Sequence, residues 1–260
     1  MNSLYRSIAV AAITFGASVV GMLLQWAVPA DVLTASKGSV GAMVGLITLL
    51  LALVLGLLVF TAFSVYTTQQ TEAQSLGPVV IELDVILEQY GADVAGARTG
   101  LREALGRARK RFFGDLKHGP QAHTIEETRA TMHWMNTYFE RQPPSERHRQ
   151  LLTTARDLAK KFAETNMLMA RQLTNPFPPY VLAIVVCWAA ALFLGNGLVA
   201  APNAITVLAH LAGAIAIGSA IFLILELSTP YTGLIRLTSA GLDRMLEVLA
   251  KADQKETPAS

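Results

Sequence analysis

Hydrophobic and polar positions divide this chain into long uncharged runs and a polar middle. The runs are Ser7–Val28, Val40–Val65, Tyr180–Ala201 and Ala204–Leu225, none of which holds an Asp, Glu, Lys or Arg. Crossing roughly 30 Å of hydrocarbon takes about 20 mostly apolar residues in a helix, so all four qualify as membrane spans. Only Pro202 and Asn203 separate the last two, which predicts an antiparallel hairpin.

Between the second and third runs the apolar positions recur at helical spacing. Val79, Leu83, Ile86, Leu87, Tyr90 and Val94 make one face, and Leu101, Ala104, Leu105, Ala108 and Phe112 another. Met132, Met135 and Phe139 form a third, and Leu151, Ala155, Leu158, Phe162 and Met169 a fourth. Breakers fall between them at Gly96 and Gly100, at Gly114 through Pro120, and at Pro143-Pro144, after which Ser145 is placed to cap a helix. The second run is expected to continue as helix from Gly41 to a breaker at Gly77-Pro78, becoming polar as it leaves the membrane. Beyond Pro230, GLIRLTSAGLDRMLEVLAK predicts an amphipathic helix carrying Leu234, Leu237, Leu242, Met245, Leu246 and Leu249. No strand alternation of useful length occurs. The expected fold is an all-α membrane protein of four transmembrane helices, with a cytoplasmic helical bundle inserted between helices 2 and 3. Its parts are helices 1 and 2 in residues 1–66, the helical region in 67–178, the transmembrane hairpin in 179–227 and a cytoplasmic amphipathic tail in 228–260.

Composition agrees with a membrane chain, since charged residues make up 15% against roughly 25% in soluble domains. The distribution of charge adds orientation. Of 21 basic residues, 15 lie in the middle region, and the connections at 29–39 and 202–203 hold only Lys37. The bias of basic residues toward the inner side predicts a cytoplasmic middle region and two cytoplasmic termini. In a bacterium that membrane is the inner one. Arg6, an apolar core and V-P-A before Asp31 resemble a cleavable leader. The uncharged core of 22 residues exceeds the 7–15 of a typical leader, which favours a retained helix. Formal charge of +2 gives no reason to expect a nucleic-acid partner. Cys187 is the single cysteine, so no intrachain disulfide forms.

Candidate chemistry is sparse. No nucleophile elbow or phosphate-binding glycine loop is present, which argues against an enzyme, and no cofactor is implied. His118 and His123, near Asp115, have a loose spacing that fits solvated loop side chains better than a metal site. Intramembrane His210 is expected to bond a neighbouring helix. The basic cluster Arg107, Arg109, Lys110 and Arg111 reads as a solvated helix face, flanked by Glu103 and Asp115.

The second run carries more information. Gly41, Gly45, Ala52 and Gly56 share one stripe, the small-residue pattern that lets helices approach closely in lipid. Thr61, Ser64 and Thr68 share another. Such a helix suits the lining of a pore, and equally a connector that packs the bundle. Glu226 closes the fourth run at its cytoplasmic end, where a carboxylate costs less than at the bilayer centre. Pro230 then ends the helix.

The segment LILELSTPYTGLIRLT, Leu223–Thr238, resembles the signature of the bacterial bestrophin-like membrane proteins, close to L-E-L-D-x-P-F-x-G-x-I-x-I-S. The preceding hairpin and the run LLLALVLGLLVFTAF are similar to that family as well. Two departures stand out. Ser228 replaces the family's aspartate, and Thr67, Thr68, Gln69 and Gln70 replace basic residues after the second run. Kinship with bestrophins implies a homo-oligomeric, anion-conducting channel whose second helix is innermost. On that reading Phe60 and Phe63 form a hydrophobic constriction and Thr61 and Ser64 supply hydroxyls. Gly41, Gly45 and Gly56 then pack helices, and Glu226, Pro230 and Gly233 mark the membrane–cytoplasm junction. The implied partners are the lipid bilayer, further copies of the chain and inorganic ions. The alternative is a non-conducting anchor whose cytoplasmic bundle scaffolds a protein partner.

Overall fold

Each apolar run becomes a helix because lipid offers its backbone no hydrogen-bond partner outside the segment itself. The structure, a computed structural model, describes residues 2–91, 95–114, 125–140, 142–173, 179–231 and 233–256. Its elements are α1 (Asn2–Ala27), α2 (Ala30–Tyr90), α3 (Ala95–Phe113), α4 (Ile125–Phe139), α5 (Glu146–Leu173), α6 (Pro179–Val199), α7 (Ala204–Leu227) and α8 (Ala240–Glu256). Among the described residues there is no strand. Helices α1, α2, α6 and α7 are long and apolar enough to cross a membrane. The chain divides into two compact units, Met1–Tyr66 with Phe177–Ser228, and Thr67–Pro176 with Thr229–Ser260.

In the first unit α1 lies against both α6 and α7. Small residues make this possible. A side chain at Gly21 would strike the Leu194 carbonyl of α6, and one at Gly197 would strike the Ser18 carbonyl of α1. Gly218 of α7 comes equally close to Ser7 and Ala11. The close-packing stripe is therefore on α1, running through Ser7, Thr14, Ser18 and Gly21, all buried. The buried polar groups on it have partners: Thr14 donates to the Val10 carbonyl at 2.9 Å, and Ser18 Oγ lies 2.6 Å from His210 Nδ1. His210 thus bonds a neighbouring helix as its position in the fourth run implied. Gln25 donates to the carbonyls of Gly197 at 2.7 Å and Ala200 at 2.5 Å, satisfying acceptors that the end of α6 leaves open. Asn203 caps α7, its side chain accepting from the Thr206 N–H at 2.9 Å.

Three helix limits differ from expectation. The connection at 29–39 is not a loop, because α2 begins at Ala30. Pro29 accepts from the Leu33 N–H at 3.0 Å, and Asp31 sits in the first turn, where a carboxylate suits the helix dipole. Gly77-Pro78 does not end α2, which continues to Tyr90. Pro78 forgoes one backbone hydrogen bond there, and burial of Leu76, Val80, Leu83 and Leu87 offsets it. The tail helix starts at Ala240, not near Gly233. Thr238 Oγ1 accepts from the Ala240 N–H at 3.2 Å, so Thr238-Ser239 supplies a helix start. Leu234 and Leu237 precede that helix.

In the second unit α3 packs on α4 and α8, and α4 on α5. Gly96 and Gly100 do not break a helix but lie within α3. They leave room for rings of α4: an added Cβ would collide with Tyr138 at Gly96 and with Trp134 at Gly100. Trp134 Nε1 donates to the Ala97 carbonyl at 3.3 Å. Ser145 caps α5, accepting from the His148 N–H at 3.3 Å. Asp84 and Arg98 form a buried bidentate pair at 2.8 and 3.0 Å.

Candidate functional site

Helix α2 buries one edge and exposes the rest within the first unit. Leu51, Leu58 and Ala62 enter the core alongside Val185, Leu192, Ile221 and Ile224. Val44 reaches α6 at Gly195, where an added Cβ would meet its methyl at 2.6 Å. Only 11% of the most apolar window of α2 is buried, against 33% for α1 and for α6.

At roughly 100° per residue, the buried edge places the other residues around the helix axis. Gly41, Gly45, Gly56 and Phe63 fall on one flank of it, and Thr61, Ser64 and Thr68 on the other. Phe60 falls opposite the buried edge. All of these α2 residues are exposed in the single chain, Phe60 by 69% and Phe63 by 53%. A Cβ added to Gly41, Gly45 or Gly56 would have nothing within 4 Å. Thr61 donates its hydroxyl proton to the Leu57 carbonyl at 2.8 Å, and the oxygen keeps both of its lone pairs as acceptors.

At the end of α7 Glu226 is 1% exposed and accepts a hydrogen bond from Ser3 Oγ of α1. This partner was not foreseeable locally, since it lies 223 residues away. Ser228 caps α7 by bonding the Ile224 carbonyl through both its N–H and its hydroxyl, the latter at 2.6 Å. Removing a donor from a buried acceptor costs about 1–3 kcal/mol. Ser3→Ala and Glu226→Ala are therefore expected to lower the melting temperature, and Glu226→Gln to lower it less. A wild-type melting curve for Ser3→Ala would remove Ser3 from this role.

In the second unit Pro230 and Gly233 belong to the turn before α8. Gly233 N–H donates to the Thr229 carbonyl at 3.1 Å, and Leu237 N–H to that of Pro230 at 2.8 Å. Tyr231 is buried between the rings of Phe112 and Phe113, with centroids 5.6 and 5.5 Å away. Burial, aided by the carboxylate of Glu72, pushes its hydroxyl pKa well above the usual value. Arg109 of the basic cluster pairs with Asp243 and Arg107 with Glu103 at 3.5 Å. Asp115, His118 and His123 lie outside the described residues.

These features define a class: a membrane protein, all-helical among the described residues, with four helices long and apolar enough to span a bilayer, one of them mostly unburied within its own chain. The Bestrophin-like domain matches residues 11–242, and the chain belongs to the Bestrophin-like family. No curated protein and no solved structure matches it.

Proposed function

We propose that the chain is one subunit of a homo-oligomeric ion channel-like assembly in a bacterial inner membrane, with α2 innermost and no enzymatic activity. The observation that carries this reading is the geometry of α2. Its buried edge faces its own subunit, so in a closed ring the opposite side, with Phe60, faces the axis. The flanks then meet neighbouring subunits: the glycines and Phe63 on one side, Thr61 and Ser64 on the other. Small exposed residues are what a neighbouring backbone needs for close approach. A ring of phenylalanine makes a constriction that opens and closes by wetting. The second unit and both termini lie in the cytoplasm by the distribution of basic residues, and α1 is a retained helix because its side chains complete the first unit. Anion conduction follows from kinship with bestrophins.

The test is flux in liposomes. Phe60→Ser is expected to raise chloride flux at least tenfold, by wetting the constriction, with the oligomer unchanged in size. Flux equal to wild type in a verified symmetric oligomer would displace Phe60 from the axis. A chain that neither oligomerises nor conducts would leave the scaffold reading in its place.

A further inference from the structure

Residues 228–239 join α7 to α8, and their large apolar side chains divide into two sets. Tyr231 and Leu237 are buried, at 5% and 9% exposure, whereas Leu234 is 73% exposed and Ile235 39%. Backbone bonds fix the division. Gly233 N–H donates to the Thr229 carbonyl and Leu237 N–H to that of Pro230, while Tyr231 is held by the rings of Phe112 and Phe113. A connection anchored in this way holds two consecutive large aliphatic side chains outward, an arrangement that water disfavours and an apolar medium rewards.

Charge accompanies them. Arg236 follows directly and is exposed. Lys110 is exposed too and stands one turn before Phe113, whose ring touches Tyr231, so α3 brings a second cation to this end of the second unit. Neither has an ion-pair partner among the described residues. Asp243, the carboxylate nearest to Arg236 along the chain, is already engaged by Arg109 and by Ser239 Oγ, which donates to it at 2.7 Å.

Position supplies the remaining argument. Leu234 comes a few residues after Leu227, the last residue of α7. Fully extended, that stretch reaches about 25 Å at most, and the bonded turn from Thr229 to Gly233 shortens it. Aliphatic side chains and free cations just beyond a span are what the lipid surface recognises, the first in the acyl boundary and the second on headgroup phosphates.

We propose that this connection is a contact site for anionic phospholipid. Leu234 and Ile235 enter the leaflet at which α7 ends, and Arg236, with Lys110, binds the phosphate of an acidic headgroup. The inference goes beyond conduction and requires only that α7 spans the bilayer.

The test is the depth of a nitroxide label at position 234. The full chain, carrying Cys187→Ala and Leu234→Cys, is placed in nanodiscs of phosphatidylcholine alone or of an equimolar mixture with phosphatidylglycerol. Power saturation compares access by oxygen, which concentrates among acyl chains, with access by a neutral water-soluble nickel chelate. A label at Thr154→Cys, exposed on α5, is the aqueous reference. In the mixture the ratio of oxygen to chelate access is expected to be at least tenfold higher at 234 than at 154. Without phosphatidylglycerol the ratio at 234 is expected to fall about fivefold or more, the contribution of a basic side chain at an anionic surface. Arg236→Gln with Lys110→Gln is expected to remove that dependence on lipid charge, and both side chains are exposed, so the fold persists. A label at 234 as open to the chelate as that at 154 would overturn the proposal. Exclusion of the chelate to the same extent in both lipid compositions would overturn it too, since a second copy of the chain covering Leu234 gives that result. An undiminished response to phosphatidylglycerol in the double variant would remove the two cations from the site.

Discussion

Gly197→Leu is expected to abolish the folded first unit. At this position α6 touches the Ser18 carbonyl of α1, and a backbone atom in a packed helix cannot rotate away as a side chain can. Overpacking typically costs 1–3 kcal/mol and occasionally more. Here about 3 kcal/mol or more is expected, because Gly21 and the Leu194 carbonyl, a turn away, would separate with it. The bond between Ser18 and His210 and the cap from Gln25 depend on the same approach. Gly45→Leu supplies the contrast, since nothing lies within 4 Å of that position inside the chain. Its effect is expected on subunit association alone. The measurement is the thermal unfolding of each purified variant by circular dichroism, with native mass spectrometry for assembly. Equal loss of stability in both variants would mean that the two glycines have the same surroundings.

The second large effect is expected at Asp84. Its carboxylate meets Arg98, which is 5% exposed, in a bidentate pair, and Glu88 stands at 3.8 Å. Truncating one partner of a buried pair costs about 3–5 kcal/mol, because the remaining charge stays desolvated. Asp84→Ala is expected near the lower end, as Glu88 retains part of the interaction. Replacing both partners, Asp84→Leu with Arg98→Met, is expected to recover most of the loss. Chemical denaturation of the three variants provides the numbers. A single variant within about 0.5 kcal/mol of wild type would refute the pair's importance, as would a double variant no better than the single.

Element type was legible along most of the described residues, because apolar runs and helical spacing are local signals. Limits were less so. Gly96, Gly100 and Gly77-Pro78 look like punctuation in one dimension. In the folded chain the first two accept the rings of Tyr138 and Trp134, and Gly77 lies against Met245. Tertiary contact thus overrides a weak local preference. The glycine stripe on α2 is plain in the sequence, yet the close packing within the chain is carried by α1, α6 and α7. Serine and alanine do on α1 what glycine was expected to do, and Ser7 and Ser18 read as ordinary apolar-run residues until Gly218 and Gly197 are set against them. Ser3 and Glu226, which bond within the first unit, come from separate helices. No periodicity announces them.

The polar groups of α1 also set a timetable. Gln25, Ser18 and Ser3 find their partners 172, 192 and 223 residues later in the chain. At roughly 5–20 residues per second of synthesis, that is a wait of roughly 10–40 s. During that interval α1 resides in the bilayer without α6 or α7, its glutamine and hydroxyls lacking their final partners. A chain cut short before Pro179 leaves them so permanently. The ribosome thus delivers the first helix early and its seat last, and the interval between is when this protein is most exposed to membrane proteases and to the wrong neighbour.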